Sequence, residues 1–137
     1  MTWDIDSGRG RPQLHKAGDD KDILRARDPE GFEIRLYLNT WEKRITRGHP
    51  DMADKLELVA KTIEQPEIIQ QSGQEATTFC YYRLTGRTIF KRDDLYVLVV
   101  VHRDDAGKTG FVKTAHLTPR LRAGGNIIWF KAYRKSN

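Results

Sequence analysis

Trp41-Glu42-Lys43-Arg44-Ile45-Thr46-Arg47-Gly48-His49-Pro50-Asp51-Met52 is the stretch on which the fold turns, an extended basic segment that gives way to a helix. Pro50 suits a first helical residue, because its missing N–H is one the helix leaves unpaired and its φ is already helical. His49 then takes the cap position. Asp51 and Asp54 complement the positive end of the helix dipole. Met52, Leu56, Val59, Ala60 and Ile63 recur at the spacing of one buried face. The helix must stop before Pro66, which forces its predecessor out of the α region. One main helix is therefore predicted over roughly 50 to 65, entered from a strand.

Upstream, Ile23 to Arg27 and Phe32 to Leu38 read as strands around the turn Asp28-Pro29-Glu30-Gly31. Trp41 to Arg47 extends the second or forms a strand of its own. Glu67 to Gln71 is a short piece of undecided type, and Ser72 to Glu75 a loop. Thr77 to Leu84 reads as a strand with Phe79, Tyr81 and Arg83 on one face and Cys80, Tyr82 and Leu84 on the other. Gly86 to Asp94 is a polar connection. Leu95 to His102 is almost wholly apolar, as a central strand covered on both faces requires. Asp104 to Gly107 closes a hairpin onto Gly110 to Leu117, Arg120 to Gly125 turns again, and Asn126 to Tyr133 is a last strand before a basic tail. This order predicts an α+β fold: N-terminal strands and one main helix packed on a four-stranded antiparallel sheet.

The 137 residues suffice for a single domain, expected over 22–134, and the Gly-, Asp- and Arg-rich residues 1–21 read as a tail or linker carrying Trp3. The longest apolar run, Leu95 to Val101, is far short of the roughly 18 residues that span a bilayer, and no signal peptide is read at the start. The expected location is the cytoplasm, of the producing cell or of a target cell. A lone cysteine, Cys80, excludes an internal disulfide. A net charge of +5 points to a polyanionic partner, since clustered Lys and Arg gain free energy by releasing phosphate counterions.

His15, His49, His102 and His116 show no ligand-pair spacing, and no phosphate-binding glycine loop or nucleophile elbow is present, so neither a metal nor a cofactor is expected. On Phe111-Val112-Lys113-Thr114-Ala115-His116-Leu117, strict alternation puts Lys113 and Ala115 on one face and Val112, Thr114 and His116 on the other. Tyr82, or Arg83 on the opposite face of its strand, joins Thr114 and His116 depending on register. Such a set of His, Thr, Tyr, Lys and Arg suits metal-free RNA cleavage: a base takes the 2′-hydroxyl proton, cations hold the charge on phosphorus, and an acid protonates the leaving 5′-oxygen. Each residue also has a plainer role. His49 can simply cap, Thr114 and His116 can simply be strand residues, Arg44, Arg47 and Lys113 can be solvated charges rather than phosphate contacts, and Trp41 and Tyr82 can pack rather than stack on bases.

The corner Trp41 to Met52, the following helix, the strand Phe79 to Leu84, the apolar strand and Gly110 to His116 together resemble the phage and polymorphic-toxin nucleases of the barnase, EndoU, colicin and RelE-like (BECR) superfamily. The resemblance covers roughly residues 32 to 130 and rests on short motifs, a His-Pro opening a helix and Val-x-Thr-Ala ending a strand. It implies an endoribonuclease acting as a toxin or phage effector and leaving a 2′,3′-cyclic phosphate. The implied substrate is RNA, tRNA among the candidates, and an acidic immunity or antitoxin protein is the implied partner. The superfamily's site positions fall on His49, on a basic residue of the sheet such as Arg83, and on Thr114; His116 stands where an aromatic residue is usual and adds a possible acid. A non-catalytic RNA-binding module and a protein-interaction domain are the competing readings.

Overall fold

The structure, a computed structural model, describes residues 20–85 and 95–132. Seven strands form one sheet in the order β1-β2-β6-β5-β4-β3-β7. They are β1 (Asp22–Arg27), β2 (Glu33–Tyr37), β3 (Ile68–Gln71), β4 (Thr78–Leu84), β5 (Tyr96–Asp104), β6 (Thr109–Thr118) and β7 (Asn126–Phe130). All neighbours are antiparallel except β2 and β6, which run parallel. The expected four-stranded antiparallel sheet is therefore replaced by a seven-stranded mixed one. Two pairings make the difference. Gly110 lets β6 fit between β5 and β2: a Cβ there would collide with the His102 carbonyl oxygen of β5 and crowd Ile34 of β2. At the far side, Ile68–Gln71 is a true strand, and β7 crosses over to pair with it instead of continuing the β4-β5-β6 meander.

The helical part also departs from expectation. Trp41 to Arg47 is not extended: Thr40–Ile45 forms a π-helical turn that runs into α1 (Thr46–Gly48). Trp41 and Ile45, four apart, set a helical stripe, with Ile45 fully buried and Trp41 packed on the core. Pro50 then breaks the run by holding His49 at φ −137° and ψ 78°. A 3-10 turn, Pro50–Met52, buries Met52, and α2 begins at Leu56 and ends at Glu64. The single helix expected from residue 50 is thus shorter and starts later.

The main core lies between α2 and one face of the sheet, where Val59 and Ile63 meet Ile69, Tyr81, Val97, Val99, Val101 and Ala115. β5 is central, and five consecutive residues, Val97 to Val101, are buried as its apolar run requires. On the opposite face Cys80, Tyr82, Leu98 and Val100 form a second cluster beneath Leu121. Burial raises the Cys80 thiol, leaving it an inert core residue. Asp20 and Lys21 already belong to the folded body, accepting the N–H groups of Asn39 and Leu38. Residues 1–19 with Trp3, the connection 86–94, and Tyr133 with the basic tail lie outside the described residues. Among the described residues no helix is long and apolar enough to cross a membrane.

Candidate active site

β6 decides where the polar side chains go. Its pairing with β5 slips between Val100 and Val101, so Thr114 faces Val100, Val112 faces Val101, and Lys113 is the extra residue of a bulge. The bulge overturns the strict alternation expected of this strand. Val112 and Ala115 both enter the main core, while Lys113, Thr114 and His116 share the opposite face.

β2 accompanies β6 only over Thr109–Phe111. Beyond that point the π-helical turn and the 3-10 turn lie along β6. His49 joins them, its N–H donating to the Ile45 carbonyl at 2.8 Å and its own carbonyl accepting the Met52 N–H at 2.9 Å. With its backbone pinned on both sides and no capping bond from its side chain, the imidazole stacks on His116, ring centroids 4.7 Å apart and planes at 27°.

His116 is half-buried, and its Nδ1 is buried with no hydrogen-bond partner among the described residues. Burial, then the neighbouring His49 and Arg122, push its pKa below the ordinary 6.5, with Asp51 opposing. Two imidazolium rings at this separation repel by roughly 1 to 4 kcal/mol, depending on screening, so a charge on His49 opposes protonation of His116.

Arg122 is the site residue that the sequence leaves unmarked within a turn. A buried polar triangle positions its backbone: the Tyr82 hydroxyl donates to Gln70 Oε1 at 2.9 Å and accepts the Arg122 N–H at 2.9 Å, while Gln70 Nε2 donates to the Arg122 carbonyl at 2.8 Å. Burial pushes the Tyr82 phenol up to about 12. Tyr82 is therefore a support for the Arg122 loop and is closed to base stacking. In Tyr82→Phe a part-buried N–H and an amide oxygen lose their partner, a loss of about 1–3 kcal/mol. With the Arg122 cation no longer held in place, the His116 titration midpoint should rise, as an NMR pH titration would read.

The other expected site residues divide. Arg44 and Arg47 are exposed on the turn leading to His49. Lys113 Nζ contacts Glu75 at 2.9 Å and Thr78 Oγ1 at 3.1 Å, away from the histidine pair but on their face. Trp41 packs on the main core. Arg83 stands on the face that bears α2 and donates to the carbonyl of Gln65, the residue closing that helix, at 2.6 Å. The structure thus brings together His49 and His116, with Thr114 on the same face of β6 and Arg122 within electrostatic reach of His116, and leaves Arg83, Trp41 and Tyr82 out. Among the described residues no group of three or more His, Cys, Asp or Glu side chains converges.

The depressed histidines have a consequence for stability. His102 is also lowered, by burial first and then by Lys113. Both groups bind protons more readily in the unfolded chain, so stability rises with pH while they titrate. It is fully present above the ordinary value of 6.5 and lost as pH falls through and below it. Glu75, held below the usual carboxylate range by Lys113, titrates lower still. Urea midpoints should fall between pH 7 and pH 5, and the fall should flatten when His102 and His116 are replaced by Asn.

Comparison of the chain with protein-family models, with curated proteins and with solved structures finds no match.

Proposed function

We propose that the protein is a metal-independent endoribonuclease that cleaves RNA by attack of the 2′-oxygen. The observation that carries this reading is the contact between His49 and His116 at 4.7 Å, an acid–base pair within the electrostatic reach of Arg122. His116, kept neutral by its surroundings, takes the 2′-hydroxyl proton. The 2′-oxygen bonds to phosphorus as the P–O5′ bond breaks, and protonated His49 gives its proton to the leaving 5′-oxygen. The products are a 2′,3′-cyclic phosphate and a 5′-hydroxyl. Arg122 supports the charge that builds on the phosphoryl oxygens, the Thr114 hydroxyl donates to one of them, and Arg44 and Arg47 hold flanking phosphates. This reading keeps the His49 and Thr114 positions of the resemblance to the toxin nucleases, makes His116 the base rather than the acid expected of it, and assigns the cationic role to Arg122 rather than to Arg83.

The test is incubation of the full chain with tRNA and mixed RNA in EDTA, followed by analysis of the product ends. Cyclic-phosphate ends that vanish in His49→Ala support the reading. Intact RNA that nevertheless binds at low salt would replace it with a non-catalytic RNA-binding module.

A further inference from the structure

We infer that Phe111 and His102 form a base-stacking subsite that holds a nucleotide of a single-stranded RNA some distance from the histidine pair; this rests on the ribonuclease reading for the identity of the polymer. Phe111 is one of four exposed large apolar residues among those described, 40% exposed. The other three, Ile127, Ile128 and Phe130, lie on the β7 edge. Phe111 instead sits well inside the sheet, one strand from its centre. Its ring stacks on His102, centroids 4.9 Å apart and planes at 26°. Burial and Lys113 keep His102 toward its neutral form, so the pair is a flat, uncharged surface.

Register ties this surface to the candidate active site. Phe111 faces His102, Thr114 faces Val100 and His116 faces Leu98, all on the side away from α2. At about 3.3 Å per residue, and with one residue taken up by the bulge, Phe111 lies roughly 13–16 Å along β6 from His116. Lys113 leaves β6 between them and carries its ammonium across β5 to Thr78 and Glu75, at the level of His102. Its ammonium is held by Glu75, whose side chain is 61% exposed, and an exposed pair of this kind exchanges readily for a phosphate. Arg35 stands beside Phe111 across the parallel β2–β6 pairing and shares Asp22 and Glu33 in loose contacts of 3.9 and 3.8 Å. A strand of RNA along β6 would thus meet an acid–base pair, a hydroxyl and an aromatic platform in that order, with the lysine ammonium beside the platform across β5. Stacking on aromatic rings is the sequence-tolerant way to hold single-stranded bases, while exposed cations follow the backbone.

The probe is a 2′-deoxy octanucleotide carrying 2-aminopurine. It has no 2′-hydroxyl to attack, so binding is read without cleavage. It should bind the wild-type chain at low salt with quenched fluorescence. Phe111→Leu, which keeps an apolar side chain without a ring, should weaken binding about 5- to 150-fold and relieve the quench, and Phe111→Trp should restore both. Unchanged affinity and quench in Phe111→Leu would overturn the subsite, as would failure of the wild-type chain to bind. The two readings separate cleanly. Cleavage of RNA that needs His49 and His116, together with Phe111-independent binding, removes the subsite and keeps the nuclease. Phe111-dependent binding without RNA cleavage removes the nuclease and keeps the subsite.

Discussion

Replacing either His49 or His116 by Ala should reduce RNA cleavage by about 10²–10⁴-fold, and replacing both should do little more damage than the worse single change. The physical reason is that the two imidazoles, 4.7 Å apart, serve one proton relay. Once the base is gone the acid has no developing oxyanion to protonate. The loss should fall on kcat rather than KM, since neither ring is assigned to ground-state binding. The pH profile carries the same information. A base that must be neutral and an acid that must carry a proton give a bell, and His116→Ala should abolish its acid limb. Losses below about tenfold in both single variants, measured on purified protein with a defined RNA, would remove the histidines from the chemistry.

Asp28→Ala should destabilise the fold by about 3–5 kcal/mol, the largest effect expected of a single substitution away from the candidate site. Asp28 has a fully buried carboxylate. One oxygen accepts the N–H groups of Glu30 at 2.9 Å and Phe32 at 2.8 Å, which shapes the β1–β2 turn. The other accepts the Tyr81 hydroxyl and faces Arg103 Nη1 at 3.5 Å. Burial drives the Tyr81 phenol far above its ordinary value, so it stays a donor at every accessible pH. Arg103 is itself clamped between the rings of Phe32 and Phe79, 4.0 and 3.8 Å from their centroids, and reaches Glu30 at 2.8 Å. Removing Asp28 leaves Arg103 with Glu30 as its one carboxylate and takes away the acceptor of a buried phenol and two N–H groups. Asp28→Asn, which keeps an acceptor for the turn and loses the charge, should cost less. Urea unfolding monitored by circular dichroism distinguishes them, and a loss under about 1 kcal/mol for Asp28→Ala would show that the network carries little of the stability.

Strands with a clean local signal are legible in the amino-acid sequence. β2 shows alternation, β4 β-branched and aromatic density, and β5 an unbroken apolar run, and each stands within about two residues of its expected place. The turn at Asp28 to Gly31 is legible too, with Gly31 at φ +92°. Trp41 to Arg47 reads as extended because its charged residues hide a two-residue helical stripe, Trp41 and Ile45, too short to show a period. Alternation puts Lys113 on the wrong face because a bulge is a property of two strands in register, and one strand's letters do not contain it.

Of the candidate site, His49, Thr114 and His116 stand out in the sequence as chemistry-bearing residues, and Thr114 and His116 as sharing a face. What places His49 against His116 is that β2 leaves β6 after three residues and the π-helical turn takes its place. What places Arg122 is the buried contact of Tyr82 with Gln70, between residues on adjacent strands and a loop far along the chain. By itself the sequence determined strands such as β2, β4 and β5, the central position of β5, and the supply of imidazoles, hydroxyls and cations, because these follow from propensity and burial of neighbouring residues. The mixed seven-stranded sheet, the bulge, the stacked histidines and the Arg122 loop were decided only in three dimensions, because each is a contact between distant segments with no local signature.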